Sequence, residues 1–204
     1  MAPKSKFTKE QIIDAAFDIA RTEGIDGITI RKVAERLGSS IAPIYVNFKE
    51  VDELVQEVIQ KTFAISKQLL MEQNSGHPFH DIGVASLRFA KEYSVLYRDL
   101  VMKENEYLNS QDDEMAILVE LMRRDPDLEG LTEGELMTLL LKMKIFQTGL
   151  CVMVANGLLP VEFDEEKMMH LLNSTAMDII GAAQIRKAGN VAGSNQDKEA
   201  GGLT

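Results

Sequence analysis

The stretch from Thr29 to Phe48 constrains the fold of this chain more than any other. Its first half predicts a short helix with one apolar face, because apolar residues recur at helical spacing: Ile30, Val33, Ala34 and Leu37. Thr29 precedes this face as a predicted N-cap. Gly38 follows it, and glycine adopts the left-handed backbone that often ends a helix without a Cβ penalty. The pattern therefore indicates a sharp turn at Gly38.

A second short helix is predicted to begin with Ser39 or Ser40 as its N-cap and to end near Val46. Pro43 fits only a helix that starts near Ser40, because a proline early in a helix removes an N–H that has no intrahelical partner. Two isoleucines, Ile41 and Ile44, are expected in the core.

The preceding helix is bounded just as clearly. Thr8 and Gln11 match a capping box at its start, and Gly24 is expected to close it. Its apolar face comprises Ile12, Ile13, Ala16, Phe17, Ile19 and Ala20. Three helices of these lengths are typical of a helix-turn-helix unit, which inserts its last helix into the major groove of DNA. A three-helix packing element without a role in nucleic-acid binding is the alternative.

The same stretch resembles the amino-terminal domain of TetR-family transcriptional regulators. The residues that carry the resemblance are Ala15-Ala16, Gly24, Thr29-Ile30, Val33-Ala34, Leu37-Gly38, Ser40, Tyr45, Phe48 and Leu54. Two positions depart from the family pattern, which often has valine at Ser39 and Ser-Lys-Glu where this chain has Lys49-Glu50-Val51-Asp52. Both departures leave the base preference open.

The resemblance implies roles for eight residues in contact with double-stranded DNA. Tyr45 and Lys49 would bind phosphates, and Thr29 and Arg31 would contact the flanking backbone. The residues expected to face base edges are Ser39, Ser40, Ala42 and Pro43, whose hydroxyls can hydrogen-bond and whose apolar groups can meet thymine methyls. For Tyr45, packing against the first helix is the alternative, and a tyrosine can do both.

Charge is distributed unevenly along the chain. Residues 1–49 hold eight basic and six acidic side chains, whereas the remainder holds 14 basic and 26 acidic ones, within a total net charge of −10. Cationic side chains supply salt-dependent affinity for phosphates. The basic excess at the amino terminus is therefore compatible with DNA binding there, and the acidic remainder would discourage non-specific coating of DNA.

Helical spacing continues beyond this region, and alternating apolar runs that would indicate strands do not occur. We predict an all-α fold with an N-terminal three-helix helix-turn-helix DNA-binding domain and a C-terminal helical ligand-binding and dimerisation domain. The predicted boundaries are 5–65 for the first domain, with its motif at about 29–48, and 66–187 for the second. Residues 188–204 are rich in Gly, Asn and Ala and are predicted to form a disordered tail.

The helices of the second domain are placed at 49–72, 79–97 and 100–108, with a further one after Ser110. A capping box at Thr132 and Glu135 opens a helix to about Asn156, and Asp164 opens the last one, to about Arg186. These last two helices carry more apolar side chains than one packing partner needs: Leu139, Leu140, Met143, Phe146, Leu150, Met153, Met168, Leu171, Leu172, Ala176, Ile179 and Ile180. The family resemblance implies that they pair across a two-fold axis in a homodimer. A thick monomer core is the alternative.

Methionine and aromatic residues point to a small-molecule effector. Ten of the eleven methionines lie after residue 70, and methionine adapts its shape to apolar ligands. The candidate ligand-binding residues are Phe89, Tyr93, Tyr97, Met102, Tyr107, Met143, Phe146 and Met153. The alternative for each of them is a place in the ordinary core.

Catalytic and metal-binding patterns are weak. His77 and His80 stand at a predicted helix boundary without a neighbouring Cys or a helical i, i+4 pair, so we predict no metal, no cofactor and no enzyme activity. The single Cys151 is expected to be a buried small hydrophobe. We find no signal peptide, and the uncharged stretch 145–161 is too short and polar for a membrane span, so a cytoplasmic protein is predicted.

These observations predict a ligand-responsive transcriptional regulator. We expect a repressor that a small apolar or amphipathic effector releases from a palindromic operator. A protein-interaction module on the same scaffold, with a protein partner in place of the effector, is the alternative.

Overall fold

The computed structural model describes the backbone of residues 7–103 and 111–200, and the side chains of residues 7–101, 103 and 115–188. Nine α-helices occupy the described ranges, which contain no strand, and this confirms the predicted all-α class. They are α1 (Lys9–Glu23), α2 (Ile30–Arg36), α3 (Ala42–Tyr45), α4 (Val51–Met71), α5 (Pro78–Glu92), α6 (Ser94–Tyr97), α7 (Gln111–Met122), α8 (Glu133–Ala155) and α9 (Glu165–Ala200). Short 3-10 turns span Ile25–Gly27 and Pro126–Leu128, and a π-helical turn spans Arg98–Met102.

The chain forms two compact units that each combine several segments. The first unit comprises residues 1–72, 86–110 and 151–158, and the second comprises residues 73–85, 111–150 and 159–204. The predicted domain boundaries at 5–65 and 66–187 stay a prediction.

The first unit is organised around the apolar face of α1. Ile12 and Ala16 on α1 are fully buried, as are Leu54 and Val58 on α4. Leu96 on α6 joins the same cluster. Burial of this kind contributes roughly 1.5–3 kcal/mol for each large aliphatic side chain, so the amphipathic pattern of α1 accounts for much of the core.

Local capping fixes the starts of α1, α8 and α9 as predicted. The Thr8 side chain accepts a hydrogen bond from Gln11 N, and the Gln11 side chain accepts one from Thr8 N, which completes the capping box. Thr132 and Glu135 form the same pairing before α8, and the Asp164 carboxylate accepts from Lys167 N before α9. These caps satisfy N–H groups that have no partner inside the helix.

The second unit has a separate core formed by parts of α5, α7, α8 and α9. Phe79, Met122, Leu139 and Leu172 are buried in this unit. One buried polar side chain, Gln147, donates its Nε2 to the Gly83 carbonyl oxygen at 2.9 Å.

Three predicted helices differ from the structure. The helix predicted over 100–108 is replaced by the π-helical turn and an extended Lys103, and its remaining residues lie outside the described ones. The predicted helix over 79–97 is interrupted at Tyr93, whose backbone (φ −127°, ψ 42°) is not helical, so α5 and α6 are separate. The last helix continues to Ala200, beyond the end predicted near Arg186, and the predicted disorder of residues 188–204 stays a prediction. The sequence signals for a helix end near this point, Lys187 followed by Gly189 and Asn190, do not end α9.

Helix α8 is apolar and long enough to cross a membrane by length and composition alone, with a mean hydropathy of 1.4 in its most apolar window. A core helix of a soluble protein meets the same criterion, so one such helix is weak support for a membrane span.

Gly24 allows a test of how α1 is closed. Its backbone (φ 88°, ψ 172°) lies in a region that is essentially restricted to glycine, and an added Cβ would clash with the Asp99 carboxylate. We predict that Gly24→Ala lowers the free energy of unfolding by about 3 kcal/mol, from backbone strain together with loss of a charged hydrogen bond. Gly38→Ala is the control, since Gly38 (φ 60°) has open space around a Cβ and should lose only about 1 kcal/mol. Denaturant unfolding of both variants measures the difference, and equal losses would contradict this explanation.

Candidate nucleic-acid interface

The turn between α2 and α3 is closed by a Schellman motif. Gly38 has a positive φ of 60°, Gly38 N donates to the Glu35 carbonyl at 3.0 Å, and Ser39 N donates to the Ala34 carbonyl at 2.9 Å. Together these bonds satisfy carbonyl groups at the end of α2 and redirect the chain. The predicted sharp turn at Gly38 is confirmed.

The start of α3 differs from the prediction. Ile41, rather than Ser39 or Ser40, is the N-cap, and no side chain caps this helix. Instead Ser39 Oγ donates to the Ser40 carbonyl, and the backbone closes the first turn when Ile44 N donates to the Ile41 carbonyl at 3.1 Å. Pro43 remains acceptable because it lies within the first turn, where its missing N–H costs no helical bond.

One prediction about the core is wrong. Ile44 is fully buried as expected, but Ile41 is 49% exposed. Ile41 is the cap of a helix of only four residues, so the helical spacing that would align it with Ile44 does not apply.

The exposed side of α3 is supported by a buried side. Ile44 and Phe48 are buried in the core of the first unit, and Phe48 N donates to the Ile44 carbonyl at 3.0 Å. Asn47 Nδ2 donates to the Pro43 carbonyl at 3.1 Å. Tyr45 lies on the other side and is 51% exposed. The phenol is therefore available at the surface, on a short helix that core packing holds in place.

The eight predicted DNA-contacting residues are all accessible to different degrees. Pro43 and Ser39 are half-buried, and the other six, Thr29, Arg31, Ser40, Ala42, Tyr45 and Lys49, are exposed. Val46, at 60% exposure, was not predicted and lies directly after Tyr45. An apolar residue on the outer side of a four-residue helix gives no sequence signal that would distinguish it from a core residue.

Thr29 also has a structural role. Its hydroxyl accepts a hydrogen bond from Lys32 N at 3.2 Å, which confirms the predicted N-cap of α2. A hydroxyl group that accepts one bond can still donate its proton to another group. Capping and a contact to phosphate are therefore compatible at this residue.

Some cationic side chains of this region form ion pairs with carboxylates, and others do not. Lys9 pairs with Glu57, Lys32 with Glu23, and Arg36 with Asp18 at 3.3 Å. Among the described residues no carboxylate pairs with the side chains of Arg31 or Lys49. Lys49 is held by its backbone, because Lys49 N donates to Glu53 Oε2 at 2.8 Å just before α4 begins. Arg31 and Lys49 are thus the cations best placed to meet an anion.

Three of the predicted effector residues form an aromatic cluster in the first unit. The Phe89 ring lies 5.5 Å from that of Tyr93 and 6.3 Å from that of Tyr97, measured between centroids. Phe89 and Tyr97 are buried, and Tyr93 is half-buried. Such separations are typical of favourable aromatic pairs.

The other predicted effector residues are not brought into this cluster. Met143 is buried and Phe146 half-buried in the second unit, and Met153 in the first unit is exposed. The side chain of Met102 and the whole of Tyr107 lie outside the described residues. An open groove of about 510 Å³ lies in the first unit and has none of the eight residues in its lining, which comprises Lys9, Asn47, Phe48, Glu53, Gln56, Glu57, Ile59 and Gln60.

The aromatic cluster contacts α1. The Tyr93 ring lies 6.2 Å from that of Phe17, and the Arg21 guanidinium carbon lies 5.1 Å from the centre of the Tyr93 ring. A cation over an aromatic face is attracted by the ring quadrupole. Tyr93 therefore links the break between α5 and α6 to the helix that supports the candidate interface.

The Asp99 carboxylate, which the sequence analysis did not identify, also connects this segment to the end of α1. Asp99 Oδ2 accepts a hydrogen bond from Ile25 N at 2.6 Å, directly after α1. Lys103 Nζ pairs with Asp99 Oδ1 at 2.8 Å and with Asp26 Oδ2 at 2.9 Å, and these bonds raise the pKa of Lys103 above its ordinary value. The π-helical turn is thus tied to the end of α1 by charged hydrogen bonds. Only the tertiary fold brings these residues together, so no local pattern could identify them.

Cys151 is buried as predicted. Its Sγ lies 3.7 Å from the Ser86 carbonyl oxygen as a weak donor, and burial raises the pKa of the thiol to about 12. The thiol therefore stays protonated and unreactive near neutral pH.

Comparison with known proteins supports the fold and the domain. Residues 12–58 match the family model for bacterial regulatory proteins of the tetR family. No curated protein matches the chain significantly by sequence.

Solved structures with a similar fold are transcriptional regulators. A TetR regulator from Streptomyces coelicolor is 15% identical with a TM-score of 0.63, over 87% of this chain and 97% of that one. SmeT, the repressor of the Stenotrophomonas maltophilia multidrug efflux pump SmeDEF, is 19% identical with a TM-score of 0.59, over 88% and 91%. The fatty acid degradation regulator FadR from Bacillus halodurans is 14% identical with a TM-score of 0.59, over 87% and 97%. Residues 12–58 therefore form a TetR-type amino-terminal domain, and the chain has the fold of TetR-family transcriptional regulators.

Proposed function

We propose that the protein is a dimeric, ligand-responsive DNA-binding regulator, and that it acts as a repressor in the cytoplasm. The observation that carries the DNA-binding part is the arrangement around α3, where Ile44 and Phe48 are buried and Tyr45 is exposed. A helix of four residues has no stability of its own in water. Its buried side therefore fixes the orientation of its exposed side.

In this proposal the DNA backbone is held by four side chains, and the bases are read by four others. Tyr45 and Lys49 bind phosphates, and Thr29 and Arg31 contact the flanking backbone. Ser39, Ser40, Ala42 and Pro43 face base edges. Ala42 is exposed and Pro43 is half-buried, so we expect Ala42 to offer the larger apolar surface to a thymine methyl.

Ile41 is an additional candidate for base contact. The Ile41 side chain is exposed beside α3 and is not buried in the core. An isoleucine side chain can meet a thymine methyl, as other apolar groups do in the major groove.

The homodimer is supported by apolar residues that the folded chain leaves exposed in the second unit. Many of the residues singled out from the sequence are buried within the chain itself, among them Leu139, Leu140 and Met143 on α8. A different face of α8 exposes Leu141 and Ile145, and α9 exposes Met177 and Ile185, each at a spacing that keeps the pair on one helical face. Glycines accompany both pairs, Gly149 on α8 and Gly181 on α9, and allow close approach of another helix.

The two-fold symmetry of a dimer fits the regular spacing of major grooves along double-stranded DNA. Two copies of α3 could enter successive major grooves at a centre-to-centre spacing of roughly 34–36 Å or somewhat more. The operator would then be palindromic, because its symmetry mirrors that of the protein.

The effector is proposed to be a small apolar or amphipathic molecule. The aromatic cluster of Phe89, Tyr93 and Tyr97 supports this, because it combines apolar surface with two phenol groups. Met102, Tyr107, Met143, Phe146 and Met153 stay candidates from the sequence. The solved structures with a similar fold include the repressor of a multidrug efflux pump and a fatty acid degradation regulator.

Release from DNA requires that the effector bind two conformations unequally. Tyr93 and Asp99 contact α1 or the turn that follows it. An effector that moves either residue would therefore change the support of α3, and α4 (Val51–Met71) would carry the change into the spacing of the two reading helices.

The first prediction concerns phosphate contacts. Tyr45→Phe should weaken binding about tenfold or more, because it removes a hydrogen bond to a charged group. Lys49→Gln should reduce the slope of log affinity against log salt by about one. Lys67→Gln is the matched control, since it makes the same charge change at an exposed position near the far end of α4 and should leave the slope unchanged. Anisotropy titrations of a duplex selected from genomic DNA would measure both quantities, and unchanged binding by both interface variants would refute the assignment.

A second prediction concerns the dimer. Ile145→Glu should convert the protein to a monomer, because a buried unpaired charge in an apolar interface is strongly unfavourable. Ile117→Glu provides the control, since Ile117 on α7 is equally exposed, at 68% against 67% for Ile145. Light scattering after size-exclusion chromatography measures the mass. A wild-type monomer at micromolar concentration, or a dimer of Ile145→Glu, would contradict the proposed interface.

The third prediction concerns the effector. Oleate and the lipophilic cation tetraphenylphosphonium serve as probes, and at least one should raise the melting temperature by a few °C and release the selected duplex. Phe89→Leu should reduce this response, whereas Phe163→Leu, which alters a half-buried phenylalanine outside the cluster, should retain it. If neither probe acts while one protein partner binds stoichiometrically, the alternative of a protein-interaction module is favoured.

A further inference from the structure

Three potential metal ligands from distant parts of the sequence meet in the second unit. His77 lies directly before α5, and Asp125 and Asp127 flank the start of the 3-10 turn between α7 and α8. One donor atom from each side chain lies within 4.8 Å of the others. The cluster is a mixed set of one imidazole nitrogen and two carboxylate oxygens.

Backbone amides hold one of these carboxylates in place. Asp125 Oδ2 accepts from Phe79 N at 2.9 Å, and Asp125 Oδ1 accepts from Asp127 N at 3.0 Å. The Asp125 side chain is 1% exposed. Each carboxylate oxygen has a second lone pair, so Asp125 Oδ1 can still bind a cation.

The imidazole faces both carboxylates without a satisfactory hydrogen bond. Nδ1 of His77 lies 2.9 Å from Asp127 Oδ2 and 3.6 Å from Asp125 Oδ1. This nitrogen is buried and has no aligned hydrogen-bond partner among the described residues. Lone pairs on nitrogen and oxygen repel at such distances unless a shared hydrogen or a cation lies between them, and an unpaired buried polar atom is costly.

We propose that His77 Nδ1, Asp125 Oδ1 and Asp127 Oδ2 bind a divalent transition-metal ion of the zinc class. A nitrogen and an oxygen 2.9 Å apart can both reach one ion at metal–ligand distances of about 2.0–2.2 Å. Imidazole favours Zn²⁺, Ni²⁺ and related ions, whereas Mg²⁺ and Ca²⁺ favour sites built from oxygen alone. Three protein ligands leave a further position on the ion for water.

Such an ion would connect the start of α5 to the turn between α7 and α8. Both segments belong to the second unit, and the Asp125 bond to Phe79 N already joins them. Metal that binds the folded chain but not the unfolded one adds its binding free energy to stability. The second unit is therefore stabilised by metal, independently of DNA binding.

The chain offers a matched control three residues away. Nδ1 of His80 also lies 3.6 Å from a carboxylate, Asp81 Oδ1, but His80 is not part of the three-residue cluster. His77→Gln and His80→Gln therefore make the same chemical change inside and outside the proposed site.

The test is zinc binding by the full, tag-free chain at neutral pH, measured by calorimetry and by thermal unfolding. We expect one Zn²⁺ per chain and a rise in melting temperature of about 5 °C or more at roughly a hundred times the dissociation constant. Mg²⁺ at the same concentration should have no such effect. His80→Gln should behave as the wild type, whereas His77→Gln and Asp127→Asn should each lose at least tenfold in affinity.

Three results would overturn the proposal. They are no zinc binding by the wild type, wild-type affinity in His77→Gln, and equal loss of affinity in both histidine variants. Melting temperatures without metal separate a loss of zinc binding from a loss of folding in each variant.

Discussion

The packing of Ile44 and Phe48 beneath α3 is the interaction on which the candidate interface depends. A helix of four residues cannot persist by its own hydrogen bonds, because nucleation costs more than so few bonds return. Its position is therefore set by those two buried side chains and by the turn at Gly38. The left-handed backbone of Gly38 allows Ser39 N to reach the Ala34 carbonyl, and this bond fixes the direction in which the chain leaves α2. The exposure of Tyr45 follows from this arrangement, since Ile44 takes the core-facing position and the next residue lies roughly 100° around the helix axis from it.

Helix α1 and the turn after it also contact the segment from Tyr93 to Lys103. Tyr93 packs near Phe17 and Arg21, and Asp99 accepts a hydrogen bond from Ile25 N. The residues from Tyr93 to Lys103 include a break in the helix and a π-helical turn, and π-turns occur frequently at functional sites. In the proposed mechanism this segment is the element with two arrangements, because it joins α1 both through the buried Leu96 and through the hydrogen bond of Asp99. Packed apolar cores change between discrete arrangements more readily than they deform continuously.

Features with local causes could be predicted from the sequence, and features with distant causes could not. The capping boxes at Thr8 and Thr132 and the turn at Gly38 each depend on a few adjacent residues, and the structure confirms them. Ile41 was misassigned because periodicity assumes a helix longer than the four residues of α3. The helix break at Tyr93 could not be predicted, because no Gly or Pro stands near it in the sequence. The meeting of His77 with Asp125 and Asp127, like that of Asp99 with Ile25, depends on the tertiary fold alone.

Helix α8 is another case in which the sequence alone does not show which face is buried. Apolar residues surround this helix, so its pattern alone cannot distinguish the face that packs within the chain from the one that does not. In the fold, Leu139, Leu140 and Met143 are buried, and Leu141 and Ile145 are left exposed. In the proposed homodimer this exposed apolar surface is the contact site between the two chains. A second copy of the chain can cover it with the same surface, because a two-fold interface is self-complementary. In that proposal Leu141 and Ile145 are therefore expected to hold the two chains together, and with them the two copies of α3.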